Sequence, residues 1–281
     1  SAGDGGDGGA GGDGGLGGTG GAGGVGGAGG VGGLAGLGGA QGNGAAGVEI
    51  TDGGNDIYNT GTIIGGDGLL GGAGVYLSGG ETYIENEGII SGGTGSGSVV
   101  AYGIHNLATI TSLINTGTIT GGVRNDGAIT TLTNRQAGLS FSGTAPTNYN
   151  VVITGSTAGD YGQLVVENST SWGMSDLTFG IADGSVVAVD VTYEDVIQGD
   201  GTTTFDSTAS KSTIYRYNGA VYTFSLNYDG TSDWDLAFDS IVTFETAAEA
   251  LANTPAGPAA QALDASSTMY DAFGSLTTEE E

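Results

Sequence analysis

The sequence predicts an all-β protein: a parallel β-helix or β-solenoid with a C-terminal β cap. An N-terminal polyglycine tract precedes it and a short helical tail follows. Three observations predict this. A unit of about ten residues, Asn-x-Gly-x-Ile, recurs between residues 59 and 129. Short alternating segments separated by turn dipeptides fill residues 148–241. Residues 1–47 hold 27 of the 62 glycines of the 281-residue chain. The expected boundaries are therefore 1–47 for the tract, 48–147 for the repeats, 148–244 for the cap and 245–281 for the tail.

The tract keeps a three-residue period from Gly3 to Gly44, with the variable position at Asp4, Asp7, Ala10, Asp13, Leu16, Thr19 and onward through Val25, Val31, Leu34 and Leu37. Period three is that of the polyproline II conformation, which makes no internal hydrogen bonds and rises ~3.1 Å per residue. Collagen shares the period but needs abundant proline, and the three prolines here all lie beyond the tract. Ordering each residue costs about 1–2 kcal/mol, most for glycine. An ordered tract therefore needs neighbours that pair with its backbone; without them it is a flexible linker. The unbroken period favours order. Leu16, Val25, Val31, Leu34 and Leu37, on its apolar edge, are the expected assembly residues.

The repeats read Asn59-Thr-Gly-Thr-Ile63, Asn86-Glu-Gly-Ile-Ile90, Asn106-Leu-Ala-Thr-Ile110, Asn115-Thr-Gly-Thr-Ile119 and Asn125-Asp-Gly-Ala-Ile129, with a degenerate copy from Asn134. Short fixed periods signal a solenoid. Asn and Gly turn the chain by side-chain hydrogen bonding and positive φ, and the Thr-Ile pair favours a strand. Ile63, Ile90, Ile110, Ile119 and Ile129 are expected to stack inside, with the asparagines forming a ladder. The residue before each Asn is unrestricted in type and is expected to face outward.

Residues 148–241 predict strands at 149–154, 163–167, 177–181, 185–193, 213–217, 220–228 and 233–238, with turns at Asn218-Gly219 and Asp229-Gly230. In the last strand Trp234, Leu236 and Phe238 face one way, and Asp233, Asp235 and Asp239 the other. The Ala-rich residues 245–281 read as helical, broken at Pro255 to Pro258.

The run Asn115-Thr-Gly-Thr-Ile-Thr-Gly-Gly-Val-Arg-Asn-Asp-Gly-Ala-Ile resembles the passenger repeats of bacterial autotransporters. The series Asn148-Tyr-Asn-Val-Val-Ile, Tyr161-Gly-Gln-Leu, Leu177-Thr-Phe-Gly-Ile, Thr192-Tyr-Glu-Asp-Val-Ile-Gln-Gly and Trp234-Asp-Leu resembles the end of such a passenger. The resemblance spans roughly residues 55–241. It implies a right-handed parallel β-helix on the outer surface of a Gram-negative bacterium, or secreted from it, with a β cap that helps it fold. It also implies a translocator barrel after the helical tail, and no barrel sequence is present among these residues. The absence of a basic and apolar leader is read as a signal peptide already removed.

Composition limits the chemistry. Four Lys and Arg residues against 31 Asp and Glu give a net charge of −27, which argues against nucleic acid and anionic membranes as partners. No apolar stretch is long enough for a transmembrane helix, so membrane insertion is not expected. The absence of Cys excludes disulfides and thiol chemistry. The single histidine, His105, sits at an outward repeat position with no nucleophile motif beside it, so no enzyme activity, catalytic residue or cofactor is expected. One calcium candidate stands out: Asp52-Gly-Gly-Asn55-Asp56-Ile resembles one turn of the calcium-binding nonapeptide of secreted toxins, so Asp52, Asn55 and Asp56 are its ligands by that resemblance. Arg124 and Arg135 lie in the least acidic part of the chain and are the expected docking charges for an acidic neighbour. The expected function is that of a non-enzymatic extracellular structural protein, a homo-oligomer or homopolymer that builds a surface fibre or matrix. The alternative is a monomeric adhesin binding a surface glycan or host-cell ligand.

Overall fold

The computed structural model describes residues 42–96, 101–169, 171–188, 190–217 and 220–242. Nineteen strands cover them, and no helix occurs among the described residues. The described residues are all-β with parallel sheets. It runs in successive passes. The first three are β1 (Val48–Ile50), β2 (Asn55–Asn59) and β3 (Thr62–Ile64); β4 (Val75–Leu77), β5 (Glu81–Asn86) and β6 (Ile89–Ser91); and β7 (Ile104–Asn106), β8 (Thr109–Asn115) and β9 (Thr118–Thr120). Two-strand passes follow: β10 (Val123–Asn125) with β11 (Ala128–Asn134), β12 (Leu139–Gly143) with β13 (Asn148–Val151), and β14 (Leu164–Glu167) with β15 (Thr178–Ile181). Like strands of successive passes pair in parallel, giving a six-stranded sheet from β2 to β15, a three-stranded sheet β3-β6-β9, and a long sheet that begins β1-β4-β7-β10-β12-β14.

Alternation puts one apolar row of each sheet inside. In the long sheet Val75, Ile104, Val123, Phe141 and Val166 are in mutual register and buried. In the six-stranded sheet the row is Ile84, Leu113, Leu132, Tyr149 and Phe179.

The asparagines form two ladders, not one. Asn59 Nδ2 donates to Asn86 Oδ1 at 2.7 Å, Asn86 to Asn115 at 2.8 Å, and Asn115 to Asn134 at 3.1 Å. On another corner Asn106 donates to Asn125 at 2.8 Å. Each ten-residue unit is thus half a pass, and alternate units occupy different corners. The isoleucines divide accordingly: Ile63, Ile90 and Ile119 share register in the three-stranded sheet, while Ile110 and Ile129 pair in the six-stranded one. The corner glycines also differ from expectation. Gly61, Gly88, Gly117 and Gly127 are not among the positive-φ glycines. Glycine is needed instead because the preceding pass lies so close: a Cβ on Gly88 would stand 2.0 Å from the Gly61 carbonyl oxygen, and one on Gly117 2.1 Å from that of Gly88.

The C-terminal end turns antiparallel. β16 (Thr192–Gly199) pairs with β19 (Asp233–Val242), β19 with β18 (Ala220–Tyr228), and β18 with β17 (Lys211–Tyr217). The hairpin and the alternation of β19 follow the sequence, with Trp234 and Leu236 buried. The strand expected at 185–193 does not form. Asp190 adopts φ 58°, which breaks an extended run, and the Tyr193 hydroxyl accepts from Ala188 N at 2.9 Å, closing a loop. The strand starts at Thr192 instead. Tyr215 ties β17 to the loop before β16 by donating to Ser185 O at 2.7 Å. The helical tail, the Asn218-Gly219 turn and tract residues 1–41 lie outside the described residues.

Candidate assembly end and an outward patch

The two ends of the stack differ. At the C-terminal end β16 to β19 carry the buried residues Tyr193, Phe224, Leu226, Trp234 and Leu236. At the N-terminal end β1, β2 and β3 are each the last strand of their sheet. Their inward residues Val48, Ile57 and Ile63 are only partly buried, although Val75, Ile84 and Ile90, one pass further in, are fully buried. Asn59 heads its ladder among the described residues: its Oδ1 accepts from its own corner, Gly61 N at 3.2 Å, whereas the same oxygen of Asn86 and of Asn115 accepts from the preceding asparagine. Gly61 repeats the theme, since a Cβ there would meet nothing within 4 Å.

Beside this end lies a glycine layer. The last six residues of the tract, Gly42 to Gly47, run against the glycine-rich segments 65–74 and 92–95. Gly44 N donates to Leu70 O at 2.7 Å, Leu69 N to Gly42 O at 2.8 Å, Gly66 N to Ala45 O at 2.7 Å, and Gly93 N to Gly72 O at 2.8 Å. None of these residues is in a strand. Only glycine permits the approach: a Cβ on Gly44 would stand 1.8 Å from Gly66 O, on Gly72 1.9 Å from Ala45 O, and on Gly93 2.0 Å from Gly66 O. The layer is held by backbone pairing between glycine-rich segments, which is what the tract's composition requires of its neighbours.

The expected site residues fall in different places. Leu16, Val25, Val31, Leu34 and Leu37 lie outside the described residues. Arg124 and Arg135 are not neighbours in one patch: Arg124 is on β10 and Arg135 follows β11. Arg124 is engaged within the chain, with Nε donating to Asp126 Oδ1 at 2.8 Å and Nη2 at 2.7 Å from the same oxygen. Arg135 is exposed. In the calcium candidate, Asn55 Nδ2 donates to the Asp52 carbonyl at 2.9 Å, and Asp56 lies on β2 in register with Tyr83. Among the described residues no three His, Asp or Glu side chains gather as a metal would need. No described helix is long and apolar enough to cross a membrane.

Register assembles a group on the outward face of the long sheet that no local motif signals. Tyr76, His105 and Arg124 stand side by side on β4, β7 and β10. The His105 ring meets Tyr76 edge-on at 5.4 Å between centroids and Tyr102 at 5.7 Å. His105 Nε2 is 3.0 Å from Asp126 Oδ2, so Asp126 bridges His105 and Arg124. Arg124 above all, then His105, hold the Asp126 carboxyl below the usual carboxylate range. A second outward group sits on the six-stranded sheet. Tyr83 donates to Glu85 Oε2 at 2.9 Å and stacks at a tilt on Tyr58. Partial burial, reinforced by Glu85, pushes the Tyr83 hydroxyl up to about 12.

No protein-family model matches the chain, and neither a curated protein nor a solved structure matches it.

Proposed function

We propose that this protein is a non-enzymatic, self-associating structural protein of an outer cell surface, a parallel β-solenoid whose glycine tract joins copies into a fibre or matrix. The observation that carries the reading is the glycine layer. The end of the tract is already paired, backbone to backbone, with glycine segments of the first two passes, and 41 further residues of like composition precede Gly42. The same pairing between copies satisfies a tract that has too few side chains to bury on its own. The partly buried Val48, Ile57 and Ile63, on strands that end their sheets among the described residues, give the assembly a second face, because terminal repeats of a stacked protein need a cap or a partner. Contacts between two different faces propagate into filaments when they do not close into a ring. The extracellular placement rests on the likeness of residues 55–241 to autotransporter passengers.

Electron microscopy of the purified chain, with and without residues 1–41, tests the proposal. Filaments or sheets that disappear on deletion support it. Dispersed single particles in the full chain overturn it.

A further inference from the structure

We propose that the outward face of the long sheet around His105 binds a neutral polysaccharide, lying along the stack and crossing its strands. Neighbouring strands stand about 4.8 Å apart, comparable to the length of one sugar ring in an extended chain. The outward row Tyr76, His105 and Arg124 therefore offers one side chain per ring, each in register with the next.

The chemistry of the row alternates as a sugar does. A pyranose has an apolar C–H face and an equator of hydroxyls. Tyr76 supplies a ring on β4, and Tyr102, 40% exposed, supplies another beside it. Aromatic rings give large contact areas with little entropy to lose, and a tyrosine keeps a polar tip. His105, Asp126 and Arg124 supply fixed donors and acceptors, and their mutual hydrogen bonds hold them in place before any ligand arrives. Arg124 has five N–H donors, and the Asp126 contact leaves most of them available. Next along the row, Ser142 is buried at 6% exposure, so the groups that face a ligand are those of Tyr76, Tyr102, His105, Asp126 and Arg124.

Charge decides between neutral and acidic glycans. The one strong cation of the row is already neutralised by Asp126. Glu49 and Glu167 occupy the same outward row at its two ends, in register with Tyr76 and Ser142. The whole chain carries −27. A polyanion meets repulsion at every approach, whereas an uncharged chain meets none.

Affinity electrophoresis of the full chain through gels containing a soluble neutral β-glucan, or alginate as the anionic comparison, tests the proposal. Retardation is expected in the neutral gel and not in alginate. The Tyr76→Ala/Tyr102→Ala double variant should bind at least tenfold more weakly. Arg124→Gln, which removes the charge but leaves a shorter side chain with a planar amide donor, should lose less than the double variant. Circular dichroism matching the wild type establishes that each variant folds. His105→Gln, a milder change, gives an independent reading if the double variant does not fold, with an expected loss of severalfold. Absence of retardation by the neutral β-glucan, undiminished binding in the folded variants, or preference for alginate would overturn the proposal.

Discussion

Replacing Asn86 by aspartate probes the longer asparagine ladder at its most constrained point. Asn86 is fully buried; its Oδ1 accepts from Asn59 at 2.7 Å, and its Nδ2 donates to Asn115 Oδ1 at 2.8 Å and to Thr118 O at 3.3 Å. Asn86→Asp keeps the shape and the acceptor but turns the donor into a second acceptor facing two oxygens. Two hydrogen bonds at ~1 kcal/mol each are lost, and an unpaired buried charge brings the total to about 4 kcal/mol at neutral pH. About 3 kcal/mol of this depends on ionisation, which corresponds to a folded-state carboxyl raised by about two pH units over its unfolded value near 3.9. Below about pH 4 the acid is protonated in both states and its single O–H donates to Asn115, so only the ~1 kcal/mol of the Thr118 bond remains lost. Between about 4 and 6 the penalty grows by ~1.4 kcal/mol per unit, and above that it levels off. Urea denaturation followed by circular dichroism, with wild type measured at each pH, gives the difference directly. Asn86→Ala serves as the control, losing about 3 kcal/mol at every pH. A loss for Asn86→Asp that is flat with pH, or under about 1 kcal/mol at neutrality, would refute the ladder as a source of stability.

Three further outcomes are expected. Gly88→Ala and Gly61→Ala occupy the same motif position, yet only Gly88 faces a preceding pass. Denaturant midpoints should show Gly61→Ala within ~0.5 kcal/mol of wild type and Gly88→Ala losing about 1–3 kcal/mol. Gly93→Ala should cost a similar amount, since its Cβ would stand 2.0 Å from the Gly66 carbonyl. Asp126, held low by Arg124 and His105, contributes stability that is present above the unfolded carboxyl value near 3.9 and lost as pH falls through its lower folded value. Asp126→Asn should therefore unfold less steeply with acid than wild type in thermal melts taken between about pH 5 and 2.

Much of the fold is legible in the residues because the corner unit repeats. Asn, then Gly two positions on, then Ile, marks a turn and a buried strand wherever it occurs. Its division between two corners is not legible, because a ten-residue unit is half a pass and nothing in the unit names its corner. Leu77 takes the ladder position in β4 that Asn106 and Asn125 hold in β7 and β10, which hides that ladder's period. The strand expected from the valines at 186, 187, 189 and 191 fails for a reason outside its pattern, the left-handed turn at Asp190. The glycine layer is half-visible: the tract announces a need for backbone partners, but the partners, residues 65–74 and 92–95, read as ordinary loops. The outward direction of His105 and Arg124 is legible from their place before a repeat asparagine, but their grouping is not. Tyr76, His105 and Arg124 are scattered along the chain, and parallel register alone brings them together.

Sedimentation of the purified 27.3 kDa chain over an about hundredfold range of concentration, with and without residues 1–41, tests the assembly claim most directly. The account predicts a mass that rises well above the monomer with concentration in the full chain and stays monomeric without the tract. A full chain that sediments as a monomer throughout, or a shortened one that assembles equally well, would contradict it.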